Sequence, residues 1–153
     1  HVPLEDSLIA QALHIRSMES EGKYAKVIAT GLAVLRLLKI DIPSDPSPIT
    51  VMESMDEIRK ITSQYTSDQI TNMKQTSIND RKRNIMKIVD VLAIACYREG
   101  SPYLPLVACA MINYSLQNGV CEESATAFLV HGYFKIFLEE NFEEGKRWGD
   151  MTR

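Results

Sequence analysis

The chain has 153 residues, the size of one ordinary domain, of which 45% are hydrophobic and 24% charged. That apolar content is enough for a packed core and argues against wholesale disorder. The formal net charge of −3, from 17 basic and 20 acidic residues, lacks the basic excess of a typical nucleic-acid-binding domain.

The cysteines, the apolar runs and the amino end bear on localisation. Cys96, Cys109 and Cys121 are too widely spaced for a zinc site, so we interpret them as buried thiols of a reducing compartment. No run approaches the roughly 18 apolar residues of a membrane span, and the early Glu5 and Asp6 argue against a signal peptide. The sequence therefore predicts a cytoplasmic protein with no membrane contact and no cofactor or metal.

Apolar residues recur at three- and four-residue steps along nearly the whole chain, which predicts helices and no strands. Gly22 separates the first two helices, and so short a break predicts an antiparallel hairpin. Ser47-Pro48 and Ser101-Pro102 both have the pattern of a helix start, with serine as cap and proline in the first position. Residues 66–80 are polar and the least clear. The predicted helices are about 4–20, 23–40, 48–64, 67–74, 79–98, 102–118, 121–139 and 142–152.

Local signals mark several of these helix ends. Ser67 is the candidate cap of the short fourth helix, and Ser77 with Asp80 resembles a capping box ahead of the fifth. Gly100 and Gly119 are predicted to end the fifth and sixth helices.

Two segments repeat one pattern, in which a helix, a tight turn and a second helix with a small residue follow one another. Gly31 and Gly132 are those small residues, and each costs about 1 kcal/mol in helix propensity, which favours a role in close helix packing. Such units are typical of tetratricopeptide-like solenoids. The predicted fold is therefore all-α, with antiparallel hairpins stacked as a degenerate tetratricopeptide-like right-handed superhelix.

A more specific resemblance lies in the segment Leu104 to Phe128, in the first hairpin from Tyr24 to Pro43, and in Phe142 to Gly149. These segments resemble the tetratricopeptide-like superhelical region of multidomain "predicted ATPase" signalling kinases. In that family a kinase-like domain and a nucleotide-binding module precede the superhelix, and GAF and histidine-kinase domains often follow. The resemblance implies that residues 1–153 are one helical-repeat domain from a longer chain, whose parent is a kinase or ATPase.

Catalytic motifs of that family have no counterpart in this sequence. There is no GxxxxGK[ST] loop and no HRD or DFG element. His14 and His131 are isolated on predicted helices, where a packing role with a hydrogen-bonded ring is the usual one. The acidic run around Asn141 and the basic run Arg81 to Arg83 are interpreted as solvated faces. We therefore expect this segment not to be an enzyme.

The expected function is a non-catalytic scaffold that mediates protein–protein or interdomain contacts in an intracellular signalling protein. It would hold an inhibitory contact between a nucleotide-binding module and an output kinase. The alternatives are a small-molecule-sensing helical domain and a free-standing peptide-binding adaptor. The candidate partner-binding residues are Arg16, Asn113, Gln117 and Trp148. Trp148, on an exposed terminal helix, is also the candidate contact of a homodimer.

Overall fold

The computed structural model describes residues 4–72, 80–139 and 142–152. These residues form helices and no β-strand, which confirms the all-α class. The predicted contact of Ser77 with Asp80 lies outside the described residues. The helices are α1 (Leu4–Ser20), α2 (Tyr24–Leu37), α3 (Pro48–Thr62), α4 (Ser67–Thr71), α5 (Asp80–Glu99), α6 (Leu104–Asn118), α7 (Ser124–Glu139) and α8 (Phe142–Asp150).

Glycines end α1 and α5 at the predicted positions. Gly22 and Gly100 have φ angles of 75° and 67°, in the left-handed region that an L side chain rarely adopts. Each lets the following amide return to a carbonyl of the last helical turn. Gly119, with φ of 108°, follows α6 as predicted. Lys39, a non-glycine residue with φ of 60°, follows α2, which therefore stops before the predicted residue 40.

The predicted cap of α3 has the expected chemistry, and the predicted cap of α4 does not. The Ser47 hydroxyl caps α3 by accepting from the Thr50 amide at 3.3 Å, with Pro48 in the first position. Ser67 was the wrong cap for α4. The cap is Thr66, whose hydroxyl accepts from the Gln69 amide at 3.1 Å while the Gln69 side chain accepts from the Thr66 amide at 2.7 Å. Because glutamine stands three residues after Thr66, this position alone closes a reciprocal capping box.

The Ser101-Pro102 signal places α6 too early. The Ser101 hydroxyl accepts from the Tyr103 amide at 3.2 Å, which makes a local turn, and the helix begins at Leu104 with Pro105 in its first turn. In the same way α7 begins at Ser124 and not at residue 121. Here the Ser124 hydroxyl accepts from the Cys121 amide at 3.1 Å, and this turn precedes the helix.

α5 is the centre of the structure and packs against α1, α2, α6 and α7. Three antiparallel hairpins, α1–α2, α5–α6 and α7–α8, follow one another, and α3 packs on α6. A methyl group at Gly31 would lie 3.2 Å from Leu92 Cδ1, so the predicted packing role of Gly31 between α2 and α5 is confirmed. The largest fully buried apolar side chains include Ile15, Leu35, Met55, Ile70, Met86, Leu92, Leu106, Met111 and Trp148.

The backbones of α7 and α8 approach each other closely at two glycines. A Cβ atom at Gly132 would lie 2.9 Å from the Gly145 carbonyl oxygen and 3.0 Å from Trp148 Cβ. A Cβ atom at Gly145 would overlap Ile136 Cγ1. These contacts confirm the packing role predicted for Gly132. Among the helices in the described part of the chain, none is long and apolar enough to cross a membrane.

Candidate interaction site

The candidate site is the polar face of α5, the helix on which α1 and α7 both pack. On α5 the incompletely buried residues Arg83, Lys87, Asp90 and Ile94 recur at four- and three-residue steps, and the exposed Tyr97 continues the row. This spacing puts them on one side of the helix. The opposite side of α5 is buried in the core, so the row is the accessible surface of the central helix.

Arg83 joins α5 to the start of α7. Its Nε atom lies 3.1 Å from Glu123 Oε2 and donates to Glu123 Oε1 at 3.3 Å, while Nη2 lies 3.5 Å from Glu122 Oε2. The Glu123 side chain is only 13% exposed, whereas that of Glu122 is 89% exposed. The pair with Glu123 is therefore the better shielded, and the pair with Glu122 contributes little in water.

Asp90 is the most unusual residue of this face. Burial raises the pKa of its carboxyl above the ordinary value. A hydrogen bond with Thr126 acts against that rise, the negative charge of Glu123 adds to it, and the positive charge of Arg16 on α1 opposes it. The Oδ1 atom of Asp90 is buried and has no hydrogen-bond partner within the described residues. Asp90 on α5 therefore interacts electrostatically with groups on both α1 and α7.

Two links join α5 to α7 and to the turn before it. Arg83 pairs with Glu123, and Asp90 shares a hydrogen bond with Thr126. Seven residues, or two turns, beyond Asp90 and Thr126 stand Tyr97 and Tyr133. These side chains are 73% and 53% exposed. The face is therefore charged at one end and aromatic at the other.

The sequence-predicted site residues do not converge. Arg16 is exposed on α1 and faces Asp90. Asn113 and Gln117 lie on α6, where Gln117 Nε2 donates to Asn113 Oδ1 at 3.5 Å along one side of that helix. α1 packs on α2 and α5, whereas α6 packs on α3, α5 and α7.

Trp148 was predicted as a surface residue, and that prediction is wrong. Its side chain is 0% exposed, and its ring lies 5.5 Å from the Phe128 ring and 4.7 Å from the His131 ring. The tight glycine contacts of the α7–α8 hairpin bring α8 down onto α7, so Trp148 is covered by its own hairpin. Trp148 is therefore not an exposed contact residue, and the homodimer stays a prediction.

His131 is a packing residue, but not a hydrogen-bonded one at Nε2. It is 1% exposed, and within the described residues this nitrogen has no partner. Burial, with a smaller effect from the charge of Lys135, lowers the pKa of His131 to about 3. The imidazole is therefore neutral at ordinary pH. Lys135 is itself fully buried.

Chemistry at the cysteines is disfavoured by their surroundings. All three are buried thiols that form no disulfide, and burial raises the pKa of Cys96 to about 11 and also raises the pKa of Cys121. A thiol that holds its proton is a poor nucleophile and a poor metal ligand. No cluster of three or more His, Cys, Asp or Glu side chains with metal-site geometry occurs in residues 4–72, 80–139 and 142–152.

Sequence reasoning missed Asp90, Glu123 and Lys135, although a signal for two of them was present. Asp90 interrupts the apolar run from Ile88 to Leu92, and Lys135 interrupts an equally apolar stretch of α7. A charged side chain in the middle of such an apolar run is rarely buried unless it has a polar partner or a functional role.

Comparison with known proteins found no match to this chain among protein-family models, curated proteins or solved structures.

Proposed function

We propose that the chain is a non-catalytic helical-repeat scaffold that mediates protein–protein or interdomain contacts in an intracellular signalling protein. The proposal takes its fold model from the tetratricopeptide-like superhelical region of the "predicted ATPase" kinases that the sequence resembles. In this view the hairpins α1–α2, α5–α6 and α7–α8 are successive degenerate repeats, and α3 and α4 are inserted after the first.

The observation that carries the proposal is the order of helix packing. The second helix of each hairpin packs on the first helix of the next, α2 on α5 and α6 on α7. The first helices of successive hairpins also contact each other, α1 on α5 and α5 on α7. A repeat array is held together by contacts between successive units, and this order of packing supports the proposal.

Such an array presents its first helices as one continuous surface, and here that surface is the candidate site. Four large apolar side chains of these first helices remain exposed. They are Leu13, Tyr97, Leu129 and Tyr133, with exposures of 65%, 73%, 59% and 53%. Exposed apolar groups beside ordered charges are typical of protein-contact surfaces. We propose that this face receives an adjacent domain of the parent chain or an extended peptide.

The test is peptide selection followed by mapping. A random peptide library is selected against the isotopically labelled chain, and the bound peptides are titrated by NMR. We expect shift changes on α1, α5 and α7, and loss of binding when Leu129 or Tyr133 is changed to Glu. Leu37→Glu, at an 83% exposed residue of α2, is the matched control and should bind normally. Selected peptides that map to other helices would contradict the proposed surface, and turnover by this chain in a transferase or hydrolase assay would contradict the non-catalytic assignment.

A further inference from the structure

A shallow groove runs along the first two turns of α3, on the side opposite the one that packs on α6. It is lined by Pro48, Ile49, Met52, Glu53 and Asp56 and has a volume of about 530 Å³. α3 belongs to the inserted part of the chain and lies apart from the face of α1, α5 and α7. The groove is therefore a second surface, independent of the one in the proposed function.

The apolar part of the groove is exposed to water. Ile49 is 73% exposed and Met52 is 39% exposed, one helical turn apart. Exposed apolar side chains at this spacing match the apolar stripe of a second helix laid against the first. Methionine adds adaptability, since its unbranched thioether side chain can repack around different partners.

The charged residues of the groove favour a partner that carries a positive charge. Its polar walls are the carboxylates of Glu53 and Asp56, and no cationic side chain lines it. Asp56 is paired with Arg59 and Lys60, which stand one turn farther along α3. Glu53 is exposed and has no ion-pair partner among the residues that the structure describes. The groove therefore complements a positive charge at its near end, and Arg59 and Lys60 limit the contact at its far end.

We propose that this groove binds an amphipathic helix of a partner protein that carries a lysine or arginine next to a large apolar side chain. The apolar side chain packs on Ile49 and Met52, and the cation pairs with Glu53. This is helix-in-groove recognition, with apolar contacts for affinity and one charge pair for orientation.

The test uses a synthetic Leu/Lys peptide of about 14 residues, a length at which an amphipathic helix can form. A second peptide of equal composition is scrambled so that its leucines no longer share one face. Both are titrated into the labelled chain and followed by NMR shifts. We expect saturable binding of the first peptide alone, with shift changes confined to the first two turns of α3.

Substitutions then assign the contacts. Ile49→Glu should weaken binding at least about tenfold, and Glu53→Lys by about three- to tenfold. Leu37→Glu makes the same chemical change at another exposed apolar residue and should leave the affinity unaltered. Circular dichroism checks that each variant folds, and Met52→Glu replaces Ile49→Glu if that variant does not.

Three results would overturn the proposal. Equal binding of the scrambled peptide would mean general attraction to a chain of negative net charge. Shift changes on α1, α5 and α7 would assign the peptide to the other surface, which leaves the proposed function intact. A dimer in sedimentation that Ile49→Glu converts to monomer would make a second copy the occupant of the groove.

Discussion

The buried imidazole of His131 makes the stability of the α7–α8 hairpin depend on pH. In the folded chain burial against Trp148, with a smaller effect from the charge of Lys135, lowers the pKa of His131 to about 3, against 6.5 for an exposed histidine. Between these two values the unfolded chain binds a proton that the folded chain does not. The free energy of unfolding therefore rises with pH in this window and is lost progressively as the pH falls below 6.5.

The size of this loss follows from the shift. Each pH unit inside the window is worth about 1.4 kcal/mol. From pH 7.5, where an exposed histidine is already neutral, to pH 5, the expected loss is about 2 kcal/mol. That is a large part of the total stability of an ordinary domain.

Urea unfolding of wild type and His131→Phe, followed by far-UV circular dichroism between pH 7.5 and pH 5, measures the effect. Phenylalanine keeps a ring against Trp148 but cannot take up a proton. The difference in unfolding free energy between the two chains should be constant above pH 7.5 and should shift by about 2 kcal/mol in favour of the variant by pH 5. If the difference is independent of pH, the imidazole titrates normally in the folded chain and is not buried as described.

Three further predictions concern packing, charge and capping. Gly145→Ala, whose Cβ would overlap Ile136, should destabilise the chain by about 1–3 kcal/mol in thermal unfolding. Gly149→Ala is the control, because a Cβ at Gly149 would have no atom within 4 Å, and it should not destabilise the chain. Equal effects of the two substitutions would refute the close contact at Gly145. Asp90→Asn removes a carboxyl with a raised pKa, whose stabilising effect is present at low pH and lost as the pH rises through that pKa. As the pH falls from 7 to 4, wild type should therefore gain stability relative to this variant. A difference in the free energy of chemical unfolding that does not change with pH would contradict the burial of the carboxyl. Ser47→Ala should cost about 1 kcal/mol by loss of the α3 cap, and an unchanged denaturation midpoint would mean that the cap is not formed in solution.

Helix periodicity located the helices because each one buries a single side, and that side repeats at the helical step. Breaks were placed well where backbone conformation determines them, as at Gly22 and Gly100. They were placed less well where a hydroxyl has more than one amide within reach. The Ser101 hydroxyl accepts a hydrogen bond within the turn before α6 and does not cap the helix. Thr66 caps α4 in place of Ser67 because Gln69 completes the capping box of Thr66. Such choices depend on neighbours within three residues, and side-chain type alone does not decide them.

Residues that face a distant helix could not be placed from periodicity. Trp148 is apolar and falls late in the chain, so its sequence position alone is compatible with a solvated end or with a core. Its burial depends on Gly132 and Gly145, which lie on two helices and meet only after the hairpin closes. The same is true of Asp90, whose pKa is raised by burial and lowered in part by Thr126 of α7 and Arg16 of α1.

The charged residues of α5 and α7 connect stability with recognition. Burying Asp90 costs free energy. The hydrogen bond with Thr126 and the positive charge of Arg16 offset only part of that cost. An apolar residue at this position would pack at less expense, as replacements of buried charges often do. What Asp90 contributes is a polar link from α5 to Thr126 of α7. Tyr97 and Tyr133 stand seven residues, or two turns, beyond the two linked residues and are both exposed. The proposed function assigns the contact with a partner to this exposed pair more than to the charge itself.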